Sequence, residues 1–223
     1  MLHDRLMDVY HRLLARYGPQ DWWPGDSPFE VIVGAILTQS AGWTGVERAI
    51  DNLKAAGVLS PAGLRAVPIE ELAVLIRPSV YFNAKSRKLK AFVEHLGECY
   101  DDDLDAMFQQ DVDRLRRELL SIHGIGEETA DDIVLYAAGK PMFVIDAYTR
   151  RIMGRLGITP PTERYDAYQS MFMDSLPRDT ALFNEYHALL DRHAVEACRK
   201  RSPLCESCCL LAVCETGAAA NVS

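Results

Sequence analysis

Four cysteines near the C-terminal end, Cys198, Cys205, Cys208 and Cys214, follow the spacing C-x6-C-x2-C-x5-C. Four thiolates in so short a loop can hold zinc or an iron–sulfur cluster, and the spacing alone admits both. Five of the six cysteines lie between Cys198 and Cys214, with only Cys99 apart. Cys209 falls outside the pattern and is expected to be a small buried side chain. A second group is the turn His123-Gly124-Ile125-Gly126, where two glycines let backbone amides approach a phosphate without any lysine. The third is Asp146, which comes after the apolar run Met142-Phe143-Val144-Ile145. An aspartate there suits a helix N-cap, and the same carboxylate is available for catalysis.

The elements that must position these residues read as helices. Leu6, Val9, Tyr10, Leu13, Leu14 and Tyr17 recur every three or four residues, an amphipathic stripe. Ser27-Pro28-Phe29-Glu30 is a capping box with proline at the first helical position, opening a helix through Thr38. A third helix carries Val46, Ile50 and Leu53 and ends near Gly57. Ser60-Pro61 and Pro68-Ile69-Glu70 start two short helices, and Pro78 interrupts the chain beyond them. From Asn83, the positions Leu89, Phe92, Val93 and Leu96 mark another helix, and Asp111 caps the next, with Leu115 and Leu119. Beyond the glycine turn, Ala130, Ile133, Val134 and Ala137 share a face; three more helices are predicted at about 146–156, 162–176 and 179–197. The fold class is all-α.

At 223 residues the chain suits one large domain or two small ones. It is 48% hydrophobic and 25% charged, the composition of a globular protein. The longest early apolar run, Val31 to Leu37, is far short of the roughly 20 residues of a spanning helix, so no membrane is expected. Charges begin at once in Met1-Leu2-His3-Asp4-Arg5, unlike a signal peptide. A reducing, cytoplasmic location is expected, associated with the nucleoid in a bacterium, and there a cysteine cluster is a metal site before it is a disulfide knot. The net charge of −8 weighs at first against a nucleic-acid partner. Basic residues are nonetheless grouped: Arg77, Lys85, Arg87, Lys88 and Lys90; Arg150, Arg151 and Arg155; and Arg199, Lys200 and Arg201. Taken singly, each run is a solvated helix face.

Taken in order, the glycine hairpin, Val144-Ile145-Asp146 and the four-cysteine loop resemble the endonuclease III superfamily of DNA glycosylases. The resemblance spans nearly the whole chain. It implies two α-helical domains flanking a DNA-binding cleft, one over 26–140 with the helix–hairpin–helix, the other combining 1–25 with 141–223. It makes Cys198, Cys205, Cys208 and Cys214 ligands of a [4Fe–4S] cluster and favours iron over zinc. It implies damaged double-stranded DNA as the partner of a monomeric protein. It also makes Asp146 the essential carboxylate, stabilising the oxocarbenium character at C1′ as a base departs.

One departure bears on the reaction. Bifunctional members carry a lysine two residues after the second hairpin glycine, which forms a Schiff base at C1′. Here Gly126 is followed by Glu127 and Glu128. A carboxylate forms no imine, so water is the expected nucleophile and the protein resembles a monofunctional glycosylase. Glu128 is then either a catalytic carboxylate or favourable charge at a helix N-terminus.

Trp22-Trp23-Pro24, together with Trp43 after Thr38-Gln39, resembles the 3-methyladenine DNA glycosylase branch, which also lacks the lysine. The resemblance implies that Trp22, Trp23, Pro24 and Trp43 line the pocket for an extruded base. Adjacent residues rarely both face one pocket, so either Trp22 or Trp23 alternatively belongs to core between domains. Val80-Tyr81-Phe82-Asn83-Ala84-Lys85 resembles the segment that inserts an apolar side chain into the duplex. Tyr81 matches the wedge, Gln39 or Ser40 fills the gap from the other side, and Lys85 sits near a phosphate. Gly124, Ile125 and Gly126 hold phosphate through their amides, and Arg199, Lys200 and Arg201 meet the backbone. Other readings remain: a glycosylase of this fold for uracil, mismatched thymine or an oxidised pyrimidine, or a non-catalytic DNA-binding protein with the cluster.

Overall fold

The computed structural model describes residues 1–220. In chain order the helices are α1 (Leu2–Tyr17), α2 (Pro28–Thr38), α3 (Trp43–Ala55), α4 (Pro61–Ala66), α5 (Ile69–Leu75), α6 (Phe82–Tyr100) and α7 (Leu104–Phe108). They continue as α8 (Val112–Ser121), α9 (Glu127–Asp132), α10 (Ala147–Arg155), α11 (Tyr165–Met173), α12 (Thr180–Glu196) and α13 (Glu215–Ala220). Short 3-10 turns cover Arg77–Ser79, Cys205–Ser207 and Leu211–Val213. There is no strand among the described residues, as the periodicity predicts. None of the helices is long and apolar enough to cross a membrane. The chain divides into two compact units, Trp23–Lys140, and Met1–Trp22 with Pro141–Ser223.

The unit Trp23–Lys140 is organised on α2. Ser27 Oγ accepts the Glu30 amide at 3.2 Å and Pro28 supplies a preset φ, so the helix starts where the sequence indicates. Phe29 to Leu37 are all buried, which makes α2 a core helix rather than a surface one. It packs on α3, α6 and α9, and α4 and α5 cover another part of α6. α9 runs on into a π-helical segment, Ile133–Ala137, rather than continuing as regular α-helix. α7, which the periodicity did not reveal, is started by Asp103, whose Oδ1 accepts the Ala106 amide at 3.0 Å. The unit begins at Trp23 rather than at residue 26, because the Trp23 ring lies 3.1 Å from where a Cβ on Gly34 of α2 would sit.

In the other unit α1 packs on α12, and α12 on α10. Phe143 and Phe172 stack at 3.9 Å within a cluster with Phe183 and Tyr186, and Tyr186 Oη donates to the Leu6 carbonyl at 2.8 Å. The buried run Met142–Ile145 belongs to no helix and joins no sheet. Side chains satisfy its backbone instead: Gln169 Nε2 donates to the Phe143 carbonyl at 2.8 Å, and Tyr165 Oη accepts the Ile145 amide at 3.2 Å. This lacing fixes the approach to Asp146.

Candidate active site and nucleic-acid interface

Asp146 is the N-cap of α10. Its Oδ1 accepts the Thr149 amide at 2.7 Å, so one carboxylate oxygen is fixed by the helix it starts. α12 contributes two residues that the sequence reading missed. Ligand atoms of Asp146, His187 and Asp191 lie within 4.8 Å of one another, and His187 is buried. Burial holds the His187 pKa below the usual histidine value, opposed by the Asp146 charge, so a neutral imidazole faces the carboxylate at neutral pH. One imidazole nitrogen and two carboxylates are also a donor set that a divalent cation accepts. The signal was the spacing His187–Asp191, four residues apart on one helix face.

The cysteine loop comes after α12. Cys198, Cys205, Cys208 and Cys214 are half-buried free thiols. Two sulfurs receive N–H groups, Arg155 Nη1 to Cys198 Sγ at 3.2 Å and the Gly217 amide to Cys214 Sγ at 3.3 Å, and His193 Nε2 lies 3.6 Å from Cys208 Sγ. Tyr17 Oη meets the other nitrogen of His193 at 2.9 Å. Sulfurs so supplied with donors suit thiolates bound to a metal cluster, where hydrogen bonds temper the negative charge.

The basic runs serve two ends. Arg199, Lys200 and Arg201 are exposed, as a backbone-binding role requires. Arg151 and Arg155 are turned inward: Arg151 Nε donates to the Cys198 carbonyl at 3.0 Å, and Arg155 reaches the Arg199 carbonyl at 2.8 Å and the Lys200 carbonyl at 3.2 Å. Arg150 donates to the Glu163 carbonyl at 2.7 Å and lies over the Tyr168 ring. The 150–155 run is therefore no solvated helix face: it holds the cysteine loop and α11. Lys85 also departs from expectation. It is 1% exposed, with Nζ donating to the Leu37 carbonyl at 2.7 Å and the Ser79 carbonyl at 2.5 Å, so it cannot meet a phosphate. Arg77 and Arg87 remain exposed on that segment.

The hairpin joins α8 to α9. Gly124 has φ +84, and a Cβ there would collide with the Lys88 stem, so glycine is required on both counts. Ile122 and Ile125 bury their side chains and the Ile125 amide closes the turn on the Ile122 carbonyl at 3.1 Å, leaving Gly126 exposed. The acids beside the hairpin have a structural use. Arg116 of α8 grips buried Asp131 of α9 by both carboxylate oxygens, at 2.6 and 3.2 Å. Gln39 is occupied too: Nε2 donates to the Gly124 carbonyl at 3.2 Å and to Thr129 Oγ1 at 2.9 Å, while Oε1 accepts from Lys88 Nζ. Its side chain thus fastens the hairpin to the end of α2. Ser40 and Tyr81 are exposed at positive φ, 55 and 46.

Trp23 and Trp43, both half-exposed, meet edge to face at 5.5 Å. Tyr136, from the π-helical segment, joins Trp23 at 5.3 Å, and the sequence reading missed it. Trp22 is half-exposed and Pro24 exposed, and the boundary between the two units falls between Trp22 and Trp23. Glu128 is exposed in the first turn of α9.

The family model for HhH-GPD superfamily base excision DNA repair protein matches residues 33–178. A relative from Methanocaldococcus jannaschii, "Putative DNA repair glycosylase MJ1434", is 42% identical over 207 residues, covering 92% of this chain and 93% of its own. Among solved structures, a non-covalent endonuclease III–DNA complex superimposes with a TM-score of 0.85 at 22% identity, covering 99% of each chain. A 3-methyladenine DNA glycosylase of H. pylori (MagIII), bound to 1,N6-ethenoadenine, gives 0.76 at 24% identity over 87% of this chain and 97% of that one. With the hairpin, the capping aspartate and the cysteine loop in place, the chain belongs to the HhH-GPD superfamily of base excision DNA repair proteins and is a DNA glycosylase of that superfamily.

Proposed function

We propose that this glycosylase is monofunctional and removes alkylated purines of the 3-methyladenine type from damaged duplex DNA. The observation that carries this reading is the half-exposed aromatic group Trp23, Trp43 and Tyr136. An alkylated purine is cationic, and aromatic faces attract it over its neutral parent by about 0.5–2 kcal/mol per contact. The acid Glu128 at the lysine position supports hydrolysis without a Schiff base; its charge favours the α9 N-terminus.

In the reaction the C1′–N bond breaks and its electron pair passes to the base, so a cationic purine leaves neutral and needs little acid catalysis. Positive charge develops on the sugar, and the Asp146 carboxylate stabilises it. Water adds at C1′, and its proton passes to Asp146 or to solvent. Neutral His187 adds no competing positive charge beside that carboxylate. The amides of Gly124 and Gly126 and the exposed Arg199, Lys200 and Arg201 take DNA phosphates, the Ile125 amide being committed to the Ile122 carbonyl, while Tyr81 and Ser40 enter the space that the base vacates. Cys198, Cys205, Cys208 and Cys214 would hold a [4Fe–4S] cluster. When bound, it supplies a rigid cross-link of the loop bearing Arg199–Arg201 and a centre for one-electron exchange.

Mass spectrometry of bases freed from methylated DNA, against uracil- and thymine-mismatch duplexes, tests the substrate. Release of methylated purines alone is expected; release of uracil or thymine alone transfers the proposal to those lesions. Purified protein should be yellow-brown and contain iron, and colourless protein carrying zinc would refute the cluster.

A further inference from the structure

The first turn of α6 carries a buried lysine that neither the hairpin nor the aspartate uses. Lys85 Nζ bonds two carbonyls, Leu37 in the last turn of α2 and Ser79 at the end of the 3-10 turn Arg77–Ser79. Both are carbonyls at helix ends, where a cation is favoured and where no amide comes next in register to satisfy them. Each bond sits within three residues before a segment of unusual backbone. Three residues after Leu37 stands Ser40 at φ 55; directly after Ser79 come Val80 at φ 59 and Tyr81 at φ 46. Positive φ is an outlier for a β-branched residue such as Val80, and such backbone persists only where its surroundings enforce it. Gly45 of α3 completes the seat, because a Cβ there would strike the Pro78 carbonyl. Val80 and Tyr81 are left 51% and 64% exposed, apolar side chains held out from the surface.

We propose that Lys85 is a positioning residue whose buried ammonium presets Ser40 and Val80–Tyr81 in the conformation that enters DNA. This rests on the reading that Tyr81 and Ser40 enter the duplex. The network extends to the hairpin through Lys88 and Gln39, so three DNA-facing segments of one unit are fixed before DNA arrives. Preset loops avoid the ordering cost that flexible ones meet on binding. An internal control exists on the same helix. Lys90 Nζ makes the same kind of bond, to the Arg65 and Val67 carbonyls at 2.8 and 2.5 Å, at the end of α4 and not beside Ser40 or Val80–Tyr81.

The test uses the full chain and a duplex in which 2-aminopurine neighbours a tetrahydrofuran abasic-site analogue. Insertion of a wedge unstacks the 2-aminopurine and raises its fluorescence on saturation with protein. The wild type and Lys90→Met are expected to give the full rise. Tyr81→Ala and Lys85→Met are expected to lose most of it, with duplex affinity falling about tenfold as two charge-assisted bonds are lost. Should Lys85→Met fail to fold, Lys85→Gln, which keeps an amide donor on a shorter stem, carries the comparison. A full rise from the folded Lys85 variant overturns the proposal. So does an equal loss in Lys85→Met and Lys90→Met, which marks general destabilisation. No rise from the wild type, or an undiminished rise from Tyr81→Ala, removes the wedge reading itself and the role of Lys85 with it.

Discussion

Replacing Asp146 by asparagine separates its two roles. Asparagine caps helices as well as aspartate does, and its carbonyl can still accept the Thr149 amide, so α10 should start at the same place. The negative charge is lost. A carboxylate about 4 Å from the sugar, at an effective dielectric near 20, stabilises a unit positive charge by about 4 kcal/mol. The rate of base release should therefore fall about a thousandfold. Asp146→Ala should lose as much rate and, in addition, about 1 kcal/mol of stability with the cap. The assay is single-turnover base release from methylated DNA, beside affinity for a duplex bearing the tetrahydrofuran analogue, which has no base to lose. A thousandfold slower release with affinity nearly unchanged is expected for Asp146→Asn. A loss confined to affinity, or a rate within about tenfold of wild type, would show that the charge does not act on the developing cation.

Borohydride should trap no covalent protein–DNA complex on damaged DNA, because Glu128 cannot form an imine; a trapped adduct would assign the nucleophile to another residue. Trp43→Ala should slow release of alkylated purine more than it weakens duplex affinity, by roughly 2- to 30-fold for one cation–π contact, and an equal loss in both would make Trp43 structural. Burial and the nearby Lys88 charge hold the Lys85 pKa down to about 8. Between there and the ordinary lysine value the unfolded chain binds more protons than the native one, so native stability gains with rising pH. Urea midpoints near pH 7 and pH 9.5 should show that gain in wild type and a smaller one in Lys85→Met; identical pH dependence in the two would place the titration elsewhere.

Features spelled out by local chemistry were legible in the sequence. Ser27, Asp111 and Asp146 each accept the amide three residues on, as cap residues do. The all-α class stems from stripes such as Leu89, Phe92, Val93 and Leu96. The destinations of the cations were not legible, because charge in a one-dimensional string carries no direction. Lys85 lies four residues before Leu89, on the same buried stripe, and that spacing was the available sign that its ammonium turns inward. Arg151 and Arg155 likewise face the cysteine loop because carbonyls at loop and helix ends need donors, a demand that exists only once the chain is folded. An acidic chain thus uses several of its cations as internal fasteners. Among the acids by the hairpin, Asp131 serves as the anchor for Arg116. Tyr136 was hidden because a π-bulge breaks the period by which its face would be assigned.

The most direct measurement is the identity of the base set free. Wild-type protein is incubated with methylated duplex DNA, and with uracil- and thymine-mismatch duplexes, and the released bases are read by mass spectrometry. Methylated purines released from the first, and none of the uracil or thymine from the others, are the expected result. Uracil or thymine released while methylated purines stay in place would contradict a site built on aromatic capture of a cationic base.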